Sequence, residues 1–349
     1  MLKWYENPAV DADIVISSRV RLARNLNDFL FPNRLGLPEA AEAVRLMRKS
    51  IFCEENRQMV DADSFNFLDL SSHSTWDLNI LAERHIISPT MVKKGVQKGL
   101  VHSGCENVSV MFNEEDHIRI QSIFVGKDLD AAFKTADNLD DIMSRSLDYA
   151  FDHDIGYLTA CPTNTGTGLR ASYMLHLPLL EASGGLKMEL TALNRAGIVV
   201  RGIYGEGSES HGSIYQISNQ RTLGKSEEEI IIELKTYTDQ LIEKENKLRG
   251  VMVMDYLTEG QDSFWRSHAI LSNSRKISLP EAMRHLSEIR LGYMLGAILG
   301  YLDNPGVGTI YNLITNIQTY NLQKIMGPAG DARQLDILRA DYLRRAFAG

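Results

Sequence analysis

Two short β-prone runs, Val108–Phe112 and Ile118–Val125, are separated only by the polar link Asn113–His117. A link that short returns the chain beside itself, whereas parallel strands need a crossover of a dozen or more residues. Antiparallel strands are therefore expected, and Leu186–Leu193, also short and partly alternating, is read as a further strand. Apolar residues at three- and four-residue spacings from Leu37 to Cys53 predict a helix. Ser226 followed by Glu229 is a capping box opening a second, longer helix. After about residue 260 only helical patterns remain, as in SLPEAMRHLSEIRLGYMLGAILGYL and QLDILRADYLRRAFAG. The expected class is α+β, with a mixed body over 1–260 and an all-helical domain over 261–349.

The chain has 349 residues, 44% hydrophobic and 23% charged, an ordinary globular balance for two domains or one large one with an appendage. It contains no apolar run of about 18 residues or more, so no membrane span is expected. Its N-terminus lacks a basic region followed by an apolar stretch and does not read as a secretion signal. Cys53, Cys105 and Cys161 lie far apart with no CxxC pair, which suits reduced thiols in a cytoplasmic protein. A net charge of −8 disfavours nucleic acid as the main partner.

Four segments of the body carry the chemistry. In Ser17-Ser18-Arg19-Val20-Arg21-Leu22-Ala23-Arg24, alternation puts Arg19 and Arg21 on one face of a strand, where two guanidinium forks suit phosphate oxygens. Alone, the segment reads more readily as a solvated surface strand. Asn113-Glu114-Glu115-Asp116-His117-Ile118-Arg119 sets three carboxylates in a turn, where they repel unless a donor or cation sits among them. Magnesium held through water is one such cation, and a plain acidic loop is the alternative. Cys161-Pro162-Thr163-Asn164-Thr165-Gly166-Thr167-Gly168-Leu169-Arg170 is small enough for backbone N–H groups to approach an anion, with Arg170 adding fixed charge; a tight turn explains it equally. Arg201-Gly202-Ile203-Tyr204-Gly205-Glu206-Gly207 reads as a loop able to close over a substrate and deliver Glu206, or as an ordinary connection.

Gly224-Lys225-Ser226 looks like the tail of a P-loop, but Asn219 stands where the first glycine is required. The H-R-D and D-F-G elements of serine/threonine and tyrosine kinases are also missing.

Taken in order, SSRVRLAR, NEEDHIRI, CPTNTGTGLR and RGIYGEG closely resemble the signature segments of the phosphagen (guanidino) kinases, from about residue 12 to about 245. The resemblance implies an antiparallel sheet flanked by helices. It implies ATP phosphates held by Arg19, Arg21, Arg119, Arg170 and Arg201. Glu115 would orient and deprotonate the substrate guanidinium, with Glu206 the second substrate carboxylate and Cys161 the thiol beside it. Glu114 and Asp116 would help hold magnesium through water. The chemistry is consistent with those roles. A guanidinium, with a pKa above about 12, is a poor nucleophile until it loses a proton, and two carboxylates match its planar fork. Phosphoryl transfer otherwise needs positioning and charge neutralisation.

In creatine and arginine kinases a helical domain precedes the SSRVR segment and contributes a lid; here that segment begins at Ser17. With the helical C-terminal domain, this resembles the bacterial protein arginine kinases of the same family. That branch implies protein substrates with exposed arginines, a homodimer formed through the helical domain, an activator protein, and marking of targets for a Clp ATPase and its protease. Members of the branch carry R-D-x-x-R-A near the C-terminus, a phosphoarginine-binding motif. Here Leu335 replaces its first arginine, leaving Asp336 and Arg339. A kinase of free arginine and a silent phosphoarginine-binding adaptor are the alternatives. Intact Glu115, Glu206 and the five arginines argue against the second.

Overall fold

The structure, a computed structural model, describes residues 2–11, 14–56, 64–203, 210–255, 257–296 and 309–347. Its strands are β1 (Val15–Arg24), β2 (Phe65–Asp69), β3 (Gly99–Ser103), β4 (Val108–Phe112), β5 (Ile118–Val125), β6 (Phe151–Asp152), β7 (Gly156–Tyr157), β8 (Leu169–His176), β9 (Ile198–Gly202) and β10 (Ile214–Asn219). Eight lie in one sheet in the order β2-β3-β4-β5-β1-β8-β10-β9, and β6 pairs with β7. The helices are α1 (Leu37–Phe52), α2 (Thr75–Glu83), α3 (Leu129–Ser144), α4 (Pro178–Ala182), α5 (Gly185–Arg195), α6 (Glu227–Asp255), α7 (Leu257–Asn273), α8 (Leu279–Met294), α9 (Ile310–Asn316), α10 (Thr319–Met326) and α11 (Ala332–Phe347).

The chain divides into two compact units, one of residues 1–4, 18–172 and 218–234, the other of residues 5–17, 173–217 and 235–349. In the first unit β2, β3, β4 and β5 run antiparallel in sequence, with Phe112 facing Ile118 across the predicted link. Every residue of β4 is buried, as expected of a strand covered on both faces. On β1, Val20 and Leu22 are fully buried while Arg19 and Arg21 are only partly so, the alternation expected from sequence. Helix α1 buries Ala40, Ala43, Val44, Met47 and Ile51, a stripe at helical spacing. Leu70, Leu78, Ile86, Ile87, Met91, Leu100 and Met111 pack as one apolar cluster. The capping box forms: Ser226 N–H donates to Glu229 Oε2 at 2.8 Å and Glu229 N–H to Ser226 Oγ at 3.1 Å.

In the second unit the described elements beyond residue 257 are all helices. The buried Asp11 carboxylate accepts from Arg290 Nε at 3.2 Å, and Arg290 Nη2 donates to the Val10 carbonyl at 2.9 Å, fastening the 3-10 turn Pro8–Asp11 to α8. One expectation is corrected here. Leu186–Leu193 is not a strand but lies within α5. Leu186 and Leu193 are its buried residues, and a spacing of seven places both on one face of a helix but on opposite faces of a strand. The intervening Lys, Met, Glu and Ala are strong helix formers. Among the described residues, no helix is long and apolar enough to cross a membrane.

Candidate active site

The site is assembled in the first unit from β1, β5, β8 and two loops. Arg21, Glu115, Arg119, Cys161 and Arg170 line one cleft, with Thr163, Asn164 and Gly168 beside them. Arg19 is close enough to act electrostatically on Arg21, as are Arg119 and Arg170. Burial and then the repulsion of those three arginines push the Arg21 guanidinium well below its ordinary basicity, with Glu114 opposing. The buried Nε of Arg21 meets no hydrogen-bond partner among the described residues. Cations held this close, one of them desolvated, form a site for a polyanion.

The loop between β4 and β5 is a tight return in which Asn113 takes a positive φ of 56°. Asn113 N–H donates to the His117 carbonyl at 2.9 Å, and Glu114 N–H to the Asp116 carbonyl at 3.1 Å. This geometry sends the three carboxylates to different places. Glu115 is exposed and reaches the cleft. Glu114 turns inward, accepting from Arg119 Nη1 at 2.7 Å, Ser88 Oγ at 2.5 Å and Thr90 Oγ1 at 2.6 Å. Burial alone pushes its carboxyl up, but the Arg119 charge and the two hydroxyls outweigh it and bring it down to about 2. Asp116 is buried, and its Oδ1 accepts from Asn25 Nδ2 and from Ala160 N–H, each at 2.7 Å. Its carboxyl is raised, first by burial, with those hydrogen bonds opposing.

The loop before β8 carries Cys161, whose Sγ lies 3.0 Å from Thr163 Oγ1. Thr222 Oγ1 ties this loop down by donating to the carbonyls of Thr163 and Thr165. Gly168 is required where it stands: φ is +65°, and a Cβ there would meet Arg24 Nη1 at 2.5 Å and the Ala23 carbonyl at 2.6 Å. Beyond it, Arg170 donates to Ser218 Oγ at 3.2 Å.

Arg201 is exposed at the end of β9 in the second unit, and Glu206 lies outside the described residues. Asp336 and Arg339 are paired at 2.7 Å on α11. Arg339 is turned inward there, 1% exposed, donating to the carbonyls of Ile277 and Ile317. Sequence reasoning missed Asn25, Ser88 and Thr90, which brace the carboxylate loop. It also missed His85, brought down to about 4 by burial and by the nearby Arg19. Only the position of Asn25, directly after SSRVRLAR, offered any signal.

No group of three or more His, Cys, Asp or Glu suited to a metal occurs among the described residues. Glu114 engages both its oxygens within the chain, and Asp116 is buried with Oδ1 doubly used. These engaged oxygens are a poor fit for ligating a magnesium ion directly, which leaves contact through water as the role open to the two carboxylates.

Comparison with known proteins accords with this geometry. Residues 47–248 match the family model of the ATP:guanido phosphotransferase C-terminal catalytic domain. The chain belongs to that family, the phosphagen kinases, and is a guanidino phosphotransferase. Residues 258–349 match the model of the protein-arginine kinase McsB C-terminal domain. A protein-arginine kinase of Geobacillus sp. (strain WCH70) is 41% identical over 341 residues, covering 98% of this chain and 92% of the relative. One of Halothermothrix orenii is 39% identical over 347 residues, covering 98% and 95%. The crystal structure of lombricine kinase superposes with a TM-score of 0.58 at 26% identity, over 68% of this chain and 67% of that one. The duplicated taurocyamine kinase of Schistosoma mansoni gives 0.60 at 27% identity, over 74% and 38%. The branch within the family is that of the protein-arginine kinases.

Proposed function

We propose that this chain transfers the γ-phosphoryl group of ATP to the guanidinium of arginine side chains in other proteins. The observation that carries the reading is the placement of an exposed carboxylate, Glu115, on a cleft lined by Arg21, Arg119 and Arg170. Near-full-length similarity to protein-arginine kinases supports the choice of substrate. In this reading Arg19, Arg21, Arg119, Arg170 and Arg201 take the nucleotide phosphates. Glu115 holds the guanidinium and accepts its proton as the N–P bond forms and the bond to the leaving diphosphate breaks. Glu206 is the second carboxylate on the guanidinium fork, and Cys161 lies beside the substrate. Magnesium enters with the nucleotide, keeping phosphate oxygens and water as its ligands.

The reading extends to a catalytic body over 1–260 and a helical domain over 261–349 that carries dimerisation. It also extends to a cytoplasmic setting, an activator protein, and delivery of marked proteins to a Clp ATPase. The Asp336–Arg339 pair is the place to look for phosphoarginine sensing, which would require Arg339 to leave its two carbonyls.

A parallel assay with Mg-ATP tests the substrate directly, comparing free arginine with an unstructured arginine-containing protein. Products are read by phosphorus NMR and by mass spectrometry that preserves the acid-labile P–N bond. Phosphoarginine on the protein is the expected result. Phosphorylation of free arginine alone sinks the proposal and leaves a small-molecule guanidino kinase.

A further inference from the structure

We infer that Asn25 and Asp116 form a positioning joint that sets Glu115 against Cys161. The inference rests on the guanidino-kinase reading of the cleft but concerns residues that do not line it.

Asn25 directly follows β1 and is fully buried. Its side-chain amide makes three hydrogen bonds. Nδ2 donates to Asp116 Oδ1 at 2.7 Å and to the Leu158 carbonyl at 3.0 Å, while Oδ1 accepts from His117 N–H at 2.9 Å. Its backbone carbonyl accepts from Ala150 N–H at 2.8 Å. One residue thus grips the carboxylate loop at Asp116 and His117, and the cysteine loop at Leu158. Asp116 closes the arrangement, because the oxygen that accepts from Asn25 also accepts from Ala160 N–H at 2.7 Å. Glu115 is the residue before Asp116, and Cys161 is the residue after Ala160. The two cleft groups are therefore each one peptide away from a single shared carboxylate oxygen.

The chemistry at the joint is specific. Position 25 needs a side chain that donates and accepts at once, and position 116 needs an acceptor able to serve two donors. Burial makes a mismatch costly, since an unpaired polar group there has no water to turn to. A shift of the joint moves Glu115 relative to the nitrogen it must align, and misplacement of about 1 Å costs on the order of 100-fold in rate. Because neither residue lines the cleft, nucleotide affinity is spared.

The test compares full-length wild type, Asn25→Asp and Asp116→Ala, which break the joint, and Asp116→Asn, which keeps an oxygen able to accept from both donors. For each, kcat, KM for both substrates, nucleotide Kd, magnesium requirement and thermal midpoint are measured. The assay uses whichever guanidino substrate the wild type accepts, so a wrong substrate assignment does not affect the outcome. Asn25→Asp and Asp116→Ala are each expected to lose about 100-fold in kcat, with nucleotide Kd and magnesium requirement within about threefold of wild type. Asp116→Asn keeps the oxygen that accepts from both donors and is expected to regain at least about tenfold over Asp116→Ala. If one of the two breaking variants does not fold, the other against Asp116→Asn carries the same comparison. An Asp116→Asn variant no better than Asp116→Ala overturns the joint. So does a loss that follows nucleotide affinity or the thermal midpoint, which marks a merely structural role. A raised magnesium requirement in Asp116→Ala with kcat intact at saturating magnesium also overturns the joint and gives Asp116 to the metal.

Discussion

Glu114 Oε2 lies 2.7 Å from Arg119 Nη1, and this ion pair joins the carboxylate loop to the arginine cluster. The Glu114 side chain is 2% exposed and the Arg119 side chain 20%. Because the Glu114 carboxyl is brought down to about 2, the pair stays ionised at neutral pH. Arg119 is thereby held in one orientation at the cleft, and the acidic turn NEEDH has separate tasks for its neighbouring carboxylates.

Replacing Glu114 with Gln releases Arg119 and removes a negative charge from beneath the cluster. Nucleotide affinity is expected to stay level or tighten, while turnover falls about tenfold from lost orientation. Equilibrium nucleotide binding measured beside kcat checks this. Weaker nucleotide binding with kcat preserved would show that Glu114 serves the nucleotide and not the arginine.

Glu115→Gln keeps the shape of the side chain and removes its basicity. Turnover is expected to drop by about 100- to 10,000-fold, the range of general-base contributions, with nucleotide binding intact. Glu206→Gln is expected to act in the same direction. Steady-state rates and nucleotide titration decide the matter, and near-normal turnover in either variant removes that residue from the chemistry.

Arg21, only partly buried as a residue but with its Nε sealed from solvent, is repelled by Arg19, Arg119 and Arg170, a state that favours binding at the expense of stability. Arg21→Met is expected to stabilise the nucleotide-free chain by about 1 kcal/mol, while weakening nucleotide binding at least tenfold. Denaturant unfolding in a buffer free of phosphate and sulfate measures the first, and a titration the second. A destabilised variant would mean that the cluster is no burden on the empty fold.

Arg24, the third arginine of SSRVRLAR, takes no part in the cleft. Its Nη2 pairs with Asp140 at 2.7 Å, with both side chains nearly sealed, and its guanidinium stacks 3.5 Å over the Tyr157 ring. Its Nη1 also donates to the Thr167 carbonyl at 3.0 Å, next to Gly168. Arg24→Ala leaves Asp140 buried and unpaired and is expected to cost about 3–5 kcal/mol. Urea unfolding reads this directly, and a loss below 1 kcal/mol would contradict it.

His117 is brought down to about 4, mainly by burial, with a hydrogen bond to the Leu30 backbone opposing. Its folded value therefore lies below the ordinary 6.5, so the unfolded chain binds the proton more readily. The stability this contributes is complete above about pH 6.5 and is lost as pH falls toward about 4, by at most roughly 1.4 kcal/mol per pH unit. Unfolding curves of wild type and His117→Gln across pH 4–7 isolate the term. The variant is expected to show the shallower acid slope, and equal slopes would refute the assignment.

Local patterns were legible in the sequence where neighbours along the chain settle the outcome. The β4–β5 hairpin, the stripe of α1, the cap Ser226–Glu229 and the shared face of Arg19 and Arg21 all depend on spacings within a few residues. Leu186–Leu193 was misread because a short apolar run satisfies both periods loosely; its leucines seven apart settle it once packed as α5. Of the residues named from these motifs, Arg21, Glu115, Arg119, Cys161 and Arg170 line one cleft, whereas Arg19, Glu114 and Asp116 do not. Spacing alone does not divide the labour inside NEEDH; only the family resemblance set Glu115 apart, and in the structure Glu115 is the one of the three carboxylates that lines the cleft.

The sequence by itself determined the elements, the charged groups and, through four ordered motifs, the kind of chemistry they serve. Only the tertiary structure decided which groups face the cleft and which support it. Arg21 lines the cleft and Arg24 pairs with Asp140, although both belong to one run. Asn25 becomes a joint because residues 91 and 133 positions away come within 3.0 Å of its amide. The reason is physical: period and propensity act between near neighbours, whereas hydrogen-bond partners and burial are set when distant segments pack.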